Sequence, residues 1–177
     1  MKTATCLAVA VALAAGASAP GHYHHHGTAV LPDPAITPGA MQTRDTTIIC
    51  HQATTVRRNV PQARKDSAYV EYGAVKQAGR CCEVDHLIPL ELGGSNALTN
   101  LWPEPWTPMP AAGEKDEVEN WLHGEVCAGR VPVAAAQNVI ARDWFFAYKA
   151  MVQGTPLPQP EGSPVGARRG RTVRQES

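Results

Sequence analysis

The chain has 177 residues, with sixteen lysines and arginines against sixteen aspartates and glutamates, so its formal charge is zero. That length suits one compact domain with tails, and the even balance excludes a histone-like or polybasic binder that works through bulk charge. A hydrophobic fraction of 44% is enough for a core and too little for a multi-span membrane protein.

Residues 1–19, MKTATCLAVAVALAAGASA, have the pattern of a secretory signal peptide. Lys2 supplies the positive start, Leu7 to Ala15 the apolar stretch, and Ala17-Ser18-Ala19 the small-residue cleavage site. Pro20 suits that cut poorly, so Ala15-Gly16-Ala17 is an alternative. The apolar run is far shorter than the roughly 20 residues of a spanning helix. The expected location is therefore secreted or periplasmic, with no membrane association, and Cys6 leaves with the signal.

Residues 20–43 predict a disordered leader. His22-Tyr23-His24-His25-His26 can hold a transition metal loosely but reads as a solvated run, and Leu31 to Gly39, with three prolines, reads as an extended linker. At the other end, residues 153–177 carry four prolines and Arg168, Arg169, Arg171 and Arg174, and predict a disordered tail.

The segment between them, 44–152, predicts the folded domain. Thr46 to Cys50 is a short β-prone run. Pro61 to Tyr72 predicts a helix stopped by Gly73. Cys82 to Leu90 predicts a strand ending near Pro89, Gly93-Gly94-Ser95-Asn96 a turn, and Leu98 to Trp102 a second strand. Trp102 to Gly113 is a proline-rich loop. Glu114 to Cys127 predicts a helix closed by Gly129. Pro132 to Val152 predicts a longer one, with Val133, Val139, Ile140, Trp144, Phe145 and Met151 facing the core.

Cys50, Cys81, Cys82 and Cys127 remain after signal cleavage, and an oxidising compartment favours disulfides. A bridge between the neighbours Cys81 and Cys82 would strain the backbone. The expectation is that Cys50 pairs with Cys127 or with one of the adjacent two. The spacing does not fit a zinc knuckle.

The stretch most informative about chemistry runs from Glu83-Val84-Asp85-His86 through Pro89 and Gly93-Gly94 to Asn100-Leu101-Trp102. An Asp-His pair on a strand, a Gly-Gly turn, an Asn-Leu pair fourteen residues after the His, and a polar-faced helix follow in order. This stretch resembles the HNH endonuclease family, in its secreted bacterial-type or fungal-type form. The resemblance covers Glu83 to Trp102 closely and extends more loosely to about Cys127. It implies an α+β fold: a small ββα-metal core of hairpin plus helix, here with additional flanking helices and disulfide stabilisation. It also implies a metal-dependent endonuclease that hydrolyses phosphodiester bonds and leaves a 5′-phosphate and a 3′-hydroxyl.

Phosphodiester cleavage needs a base for water and a cation to offset charge on the phosphate. A histidine, with its ordinary pKa near 6.5, can act as base close to neutral pH, which assigns His86. A neighbouring carboxylate is a hard ligand for Mg²⁺ or Mn²⁺, which assigns Asp85; Zn²⁺ and Ni²⁺ are alternatives. The resemblance gives Asn100 the role of holding the loop and orienting His86. Neighbours on a regular strand point to opposite faces, so Asp85 and His86 can share a site only where the strand bends or ends.

The sequence departs from the family where many members place a His about nine residues after the Asn; here that position is Met109. The missing ligand must come from the following helix. At about 100° per residue, Val118, Trp121, Leu122 and Val126 share one face, and Asp116, Glu119, Asn120, His123 and Cys127 the other. His123 and Asn120 are the candidate metal ligands on that polar face. Lys115, Arg57, Arg58, Arg64 and Arg80 could grip phosphates, but the preferred reading of each is a surface charge. Trp102 and Trp106, which flank Glu104, could stack on bases, but packing is the preferred reading. The expected partner is nucleic acid, DNA over RNA, bound by a monomer. The rival readings are an inactive nucleic-acid-binding module and a disulfide-stapled secreted interaction protein.

Overall fold

The computed structural model describes residues 22–74 and 81–157. The predicted signal peptide, Arg80 and the tail arginines lie outside the described residues. The fold is α+β, with two antiparallel strand pairs and four α-helices among the described residues. The strands are β1 (Tyr23–His26), β2 (Ala29–Pro32), β3 (Cys82–His86) and β4 (Leu101–Pro105). The helices are α1 (Thr46–His51), α2 (Gln62–Glu71), α3 (Ala112–Cys127) and α4 (Val133–Gln153). Among the described residues, no helix is long and apolar enough to cross a membrane.

The expected disordered leader is corrected from His22 onward. β1 and β2 form a hairpin whose turn uses Gly27 at φ 62°. All four residues of β2 are buried. The reason is the apolar trio Ala29-Val30-Leu31, which the flanking histidines and prolines disguise. Ala29 and Leu31 join the main core, whereas Val30 packs with Tyr72, Leu87 and Trp102. The indole of Trp144 donates to the Val30 carbonyl at 3.1 Å, and the Tyr23 hydroxyl to the Pro103 carbonyl at 2.9 Å. The start of the expected tail is also ordered: α4 runs to Gln153 and Leu157 is buried.

Thr46–Cys50, expected as β-prone, is helical. Asp45 caps α1 by accepting from the Thr47 amide at 2.8 Å, Ile49 is buried, and Cys50 is joined to Cys127. Cap, packing and crosslink together outweigh the weak strand preference of Thr and Ile. The Cys50–Cys127 bridge falls within the expected pairings. The Cys81–Cys82 bridge does not, and corrects the expectation. With Cys50 committed to Cys127, neither has another cysteine partner among the described residues.

The core lies between α3 and α4, with Val118, Leu122 and Val126 facing Val133, Ala136, Ile140 and Trp144. Trp102 is fully buried, which supports packing; Trp106 stays exposed.

Candidate functional site at the end of the central hairpin

β3 and β4 pair with Glu83 opposite Glu104 and Asp85 opposite Trp102. Because strand residues alternate faces, this register puts Glu83, Asp85 and Glu104 on one side of the ladder. β3 ends at His86. The strand end removes the alternation that would otherwise separate Asp85 from His86, and both line a cleft of about 230 Å³ together with Arg58, Lys65, Glu83 and Glu119.

The chain after His86 is fixed by Asn100, which is fully buried. Its side-chain carbonyl accepts from the Ile88 amide at 3.0 Å and the Ala40 amide at 3.2 Å. Its amide donates to the Ile88 and Ser95 carbonyls, each at 2.9 Å. All four bonds of an Asn side chain are therefore used on backbone. Gly94 completes the turn, since a Cβ there would lie 1.8 Å from the Ile88 carbonyl oxygen. The expected loop-holding role of Asn100 is seen. Its expected bond to His86 is not, because those contacts exhaust it.

The residue that orients His86 is Asn96, which the sequence reading placed only in the turn. Its amide donates to the Arg57 carbonyl at 2.8 Å and the Asn59 carbonyl at 3.3 Å, so its oxygen is turned to His86 Nε2 at 2.9 Å. An amide oxygen only accepts. Nε2 therefore carries the proton, and Nδ1 is left with the lone pair. Burial lowers the His86 pKa below its ordinary value, against the opposing effects of the Asn96 bond and the Asp85 charge. The neutral imidazole, the form a base needs, is thus favoured at neutral pH.

Lys115 is the largest departure from expectation. It is completely buried rather than a surface charge. Its ammonium donates to Asp85 Oδ2 at 2.5 Å, to the His86 carbonyl at 3.0 Å and to Glu119 Oε1, and lies 3.7 Å from Glu104 Oε2. Glu104 is 2% exposed, and its Oε1 is buried without a hydrogen-bond partner. Burial pushes the Glu119 carboxyl up to about 8 and Glu104 well above the usual range, with the nearby Lys115 charge opposing both. At Asp85 burial is the largest single effect and acts in the same direction, but the Lys115 charge and hydrogen bonds from Glu104, Lys115 and the His86 backbone together hold the carboxyl low.

Neither predicted helix ligand reaches this centre. Asn120 donates to the carbonyl of Asp116 on its own helix at 2.8 Å. His123 is turned toward α1, with Nε2 3.1 Å from the Ile49 carbonyl oxygen and 3.5 Å from Cys127 Sγ. The helix residues at the centre are Lys115 and Glu119, one turn apart. The signal for Lys115 was its place in the apolar stripe Lys115, Val118, Leu122, Val126.

Asp85, Glu119, Glu104 and the His86 carbonyl form a hard oxygen set of the kind that suits Mg²⁺ or Mn²⁺. The grouping suited by type to Zn²⁺ or Ni²⁺ is Cys50, His123 and Cys127. Its two sulfurs are joined to each other, and a disulfide offers no thiolate ligand. No protein-family model, curated protein or solved structure matches the chain.

Proposed function

We propose that the protein is a secreted, metal-dependent, HNH-like endonuclease that hydrolyses phosphodiester bonds in nucleic acid, with DNA favoured over RNA. The observation that carries this reading is His86, on a polar cleft beside Asp85, with its Nε2 2.9 Å from the Asn96 amide oxygen. The lone pair on Nδ1 takes a proton from water. The water oxygen bonds to phosphorus and the bond from phosphorus to the 3′-oxygen breaks. That oxygen takes a proton from solvent water as it leaves, giving a 5′-phosphate and a 3′-hydroxyl.

Asp85 and Glu119 would hold the divalent ion, which when bound offsets charge on the phosphate and leaving oxygen. Arg58 and Lys65 on the same cleft provide positive charge for the nucleic-acid backbone.

The test is cleavage of plasmid DNA and of RNA with added Mg²⁺ or Mn²⁺, wild type against His86→Ala. Cleavage lost on that substitution supports the reading. Retention of nucleic acid without cleavage points to a binding module, and neither activity to an interaction protein.

A further inference from the structure

The Lys115 ammonium occupies the centre of an oxygen cage. Its three N–H donors, all it has, go to Asp85 Oδ2, Glu119 Oε1 and the His86 carbonyl. These come from two elements, strand β3 and helix α3. Glu104 lies behind them with one oxygen unpartnered. Three carboxyl groups thus surround one positive charge. The cage has a door: Asp85 and Glu119 line the cleft, whereas Lys115 is sealed from solvent.

We propose that Lys115 is the resident cation of a divalent-metal site, and that its ammonium and a hard divalent ion such as Mn²⁺ or Mg²⁺ compete for the same oxygens. This rests on the nuclease reading insofar as Asp85 is taken as a metal ligand, but it assigns Lys115 the role of setting how tightly the ion is held. An ammonium accepts three oxygens, whereas a Mg²⁺-like ion takes about six at roughly 2.1 Å. The ion therefore has a use for the orphaned Glu104 oxygen that Lys115 does not. Removing the ammonium leaves buried carboxyl groups with no cation, which strengthens attraction for one from solution.

The experiment titrates Mn²⁺ alone against the full chain and reads free Mn²⁺ by its electron paramagnetic resonance signal. Lys115→Met is expected to bind one Mn²⁺ about tenfold or more tightly than wild type, and adding Glu119→Gln is expected to abolish the gain. Equal affinity of Lys115→Met and wild type overturns the proposal, as does a gain that survives Glu119→Gln. Where Lys115→Met does not fold alone, circular dichroism follows its recovery: folding restored by Mn²⁺ supports the proposal, and a chain still unfolded at saturating Mn²⁺ overturns it. No nucleic acid is present, so the two readings fail separately. Tighter Mn²⁺ binding in a protein that cuts nothing sinks only the nuclease reading. Metal-dependent cutting with an affinity indifferent to Lys115 sinks only the competition.

Discussion

The two halves of α3 carry two polar clusters with opposite fates. Near its start, Lys115 and Glu119 face inward to Asp85 and Glu104 and form a buried charged centre open to a cleft. Near its end, His123 and Cys127 have the side chains of a soft-metal site, yet they are committed to the Ile49 carbonyl and to Cys50. Ligand type alone would favour the second cluster. Availability favours the first, because its carboxyl groups outnumber their one cation while the other cluster's groups already have partners.

The largest expected effect separates the two halves directly. His86→Ala should lower cleavage by about 10²–10⁴-fold, up to roughly 5 kcal/mol of barrier, whereas His123→Ala should leave the rate within about twofold. Initial rates on plasmid DNA measure both, and a collapse on His123→Ala would restore it as a ligand. Next is stability. In the absence of a divalent ion, Lys115→Met leaves buried carboxyl groups without their cation and should cost about 3–5 kcal/mol in urea unfolding. A change under 1 kcal/mol, roughly the ceiling for a surface pair, would mean that the cage is solvated. Removing both Cys50 and Cys127 as alanines opens a crosslink between residues 77 apart. It should cost about 3–4 kcal/mol while leaving the metal-supported cleavage rate of folded protein unchanged. A lost rate would couple the two halves.

Much of the centre was legible because it is local in sequence. Asp85, His86, Gly94 and Asn100 fall within one strand-turn-strand unit, and their order constrains the backbone whatever surrounds it. The α3 partners were harder, because a helical wheel shows which residues share a face but not which face meets the hairpin. Polar Asn120 and His123 looked suitable on that wheel. Lys115, at an apolar-stripe position, looked misplaced, and that misfit was the better clue. β1 and β2 were missed for another reason: the residues that pack against Ala29-Val30-Leu31, from Tyr72 and Leu87 to Trp102 and Trp144, are distant in sequence. The Thr46–Cys50 run failed because a cap and a crosslink decided between two weak local preferences.

The smallest expected effect concerns pH. His86 is held below its ordinary pKa chiefly by burial, so it stays neutral further into acid than a free imidazole. A base must be unprotonated to work, and the acid limb of kcat/KM reports its pKa in the free enzyme. That limb should therefore fall below pH 6.5, with activity lost as pH drops through it. The Asn96 bond pulls the value upward, so Asn96→Ala should move the limb further into acid while reducing the plateau, because the imidazole loses its orientation. Stability runs the other way at Glu119. Its folded carboxyl, pushed up to about 8, keeps a proton that the unfolded chain releases near pH 4.5. The associated stability is thus present below 4.5 and lost as pH rises toward 8. Glu119→Gln should flatten that decline in urea midpoints measured between pH 5 and 8. A wild-type curve already flat across that window would mean that Glu119 is ionised throughout beside the Lys115 ammonium.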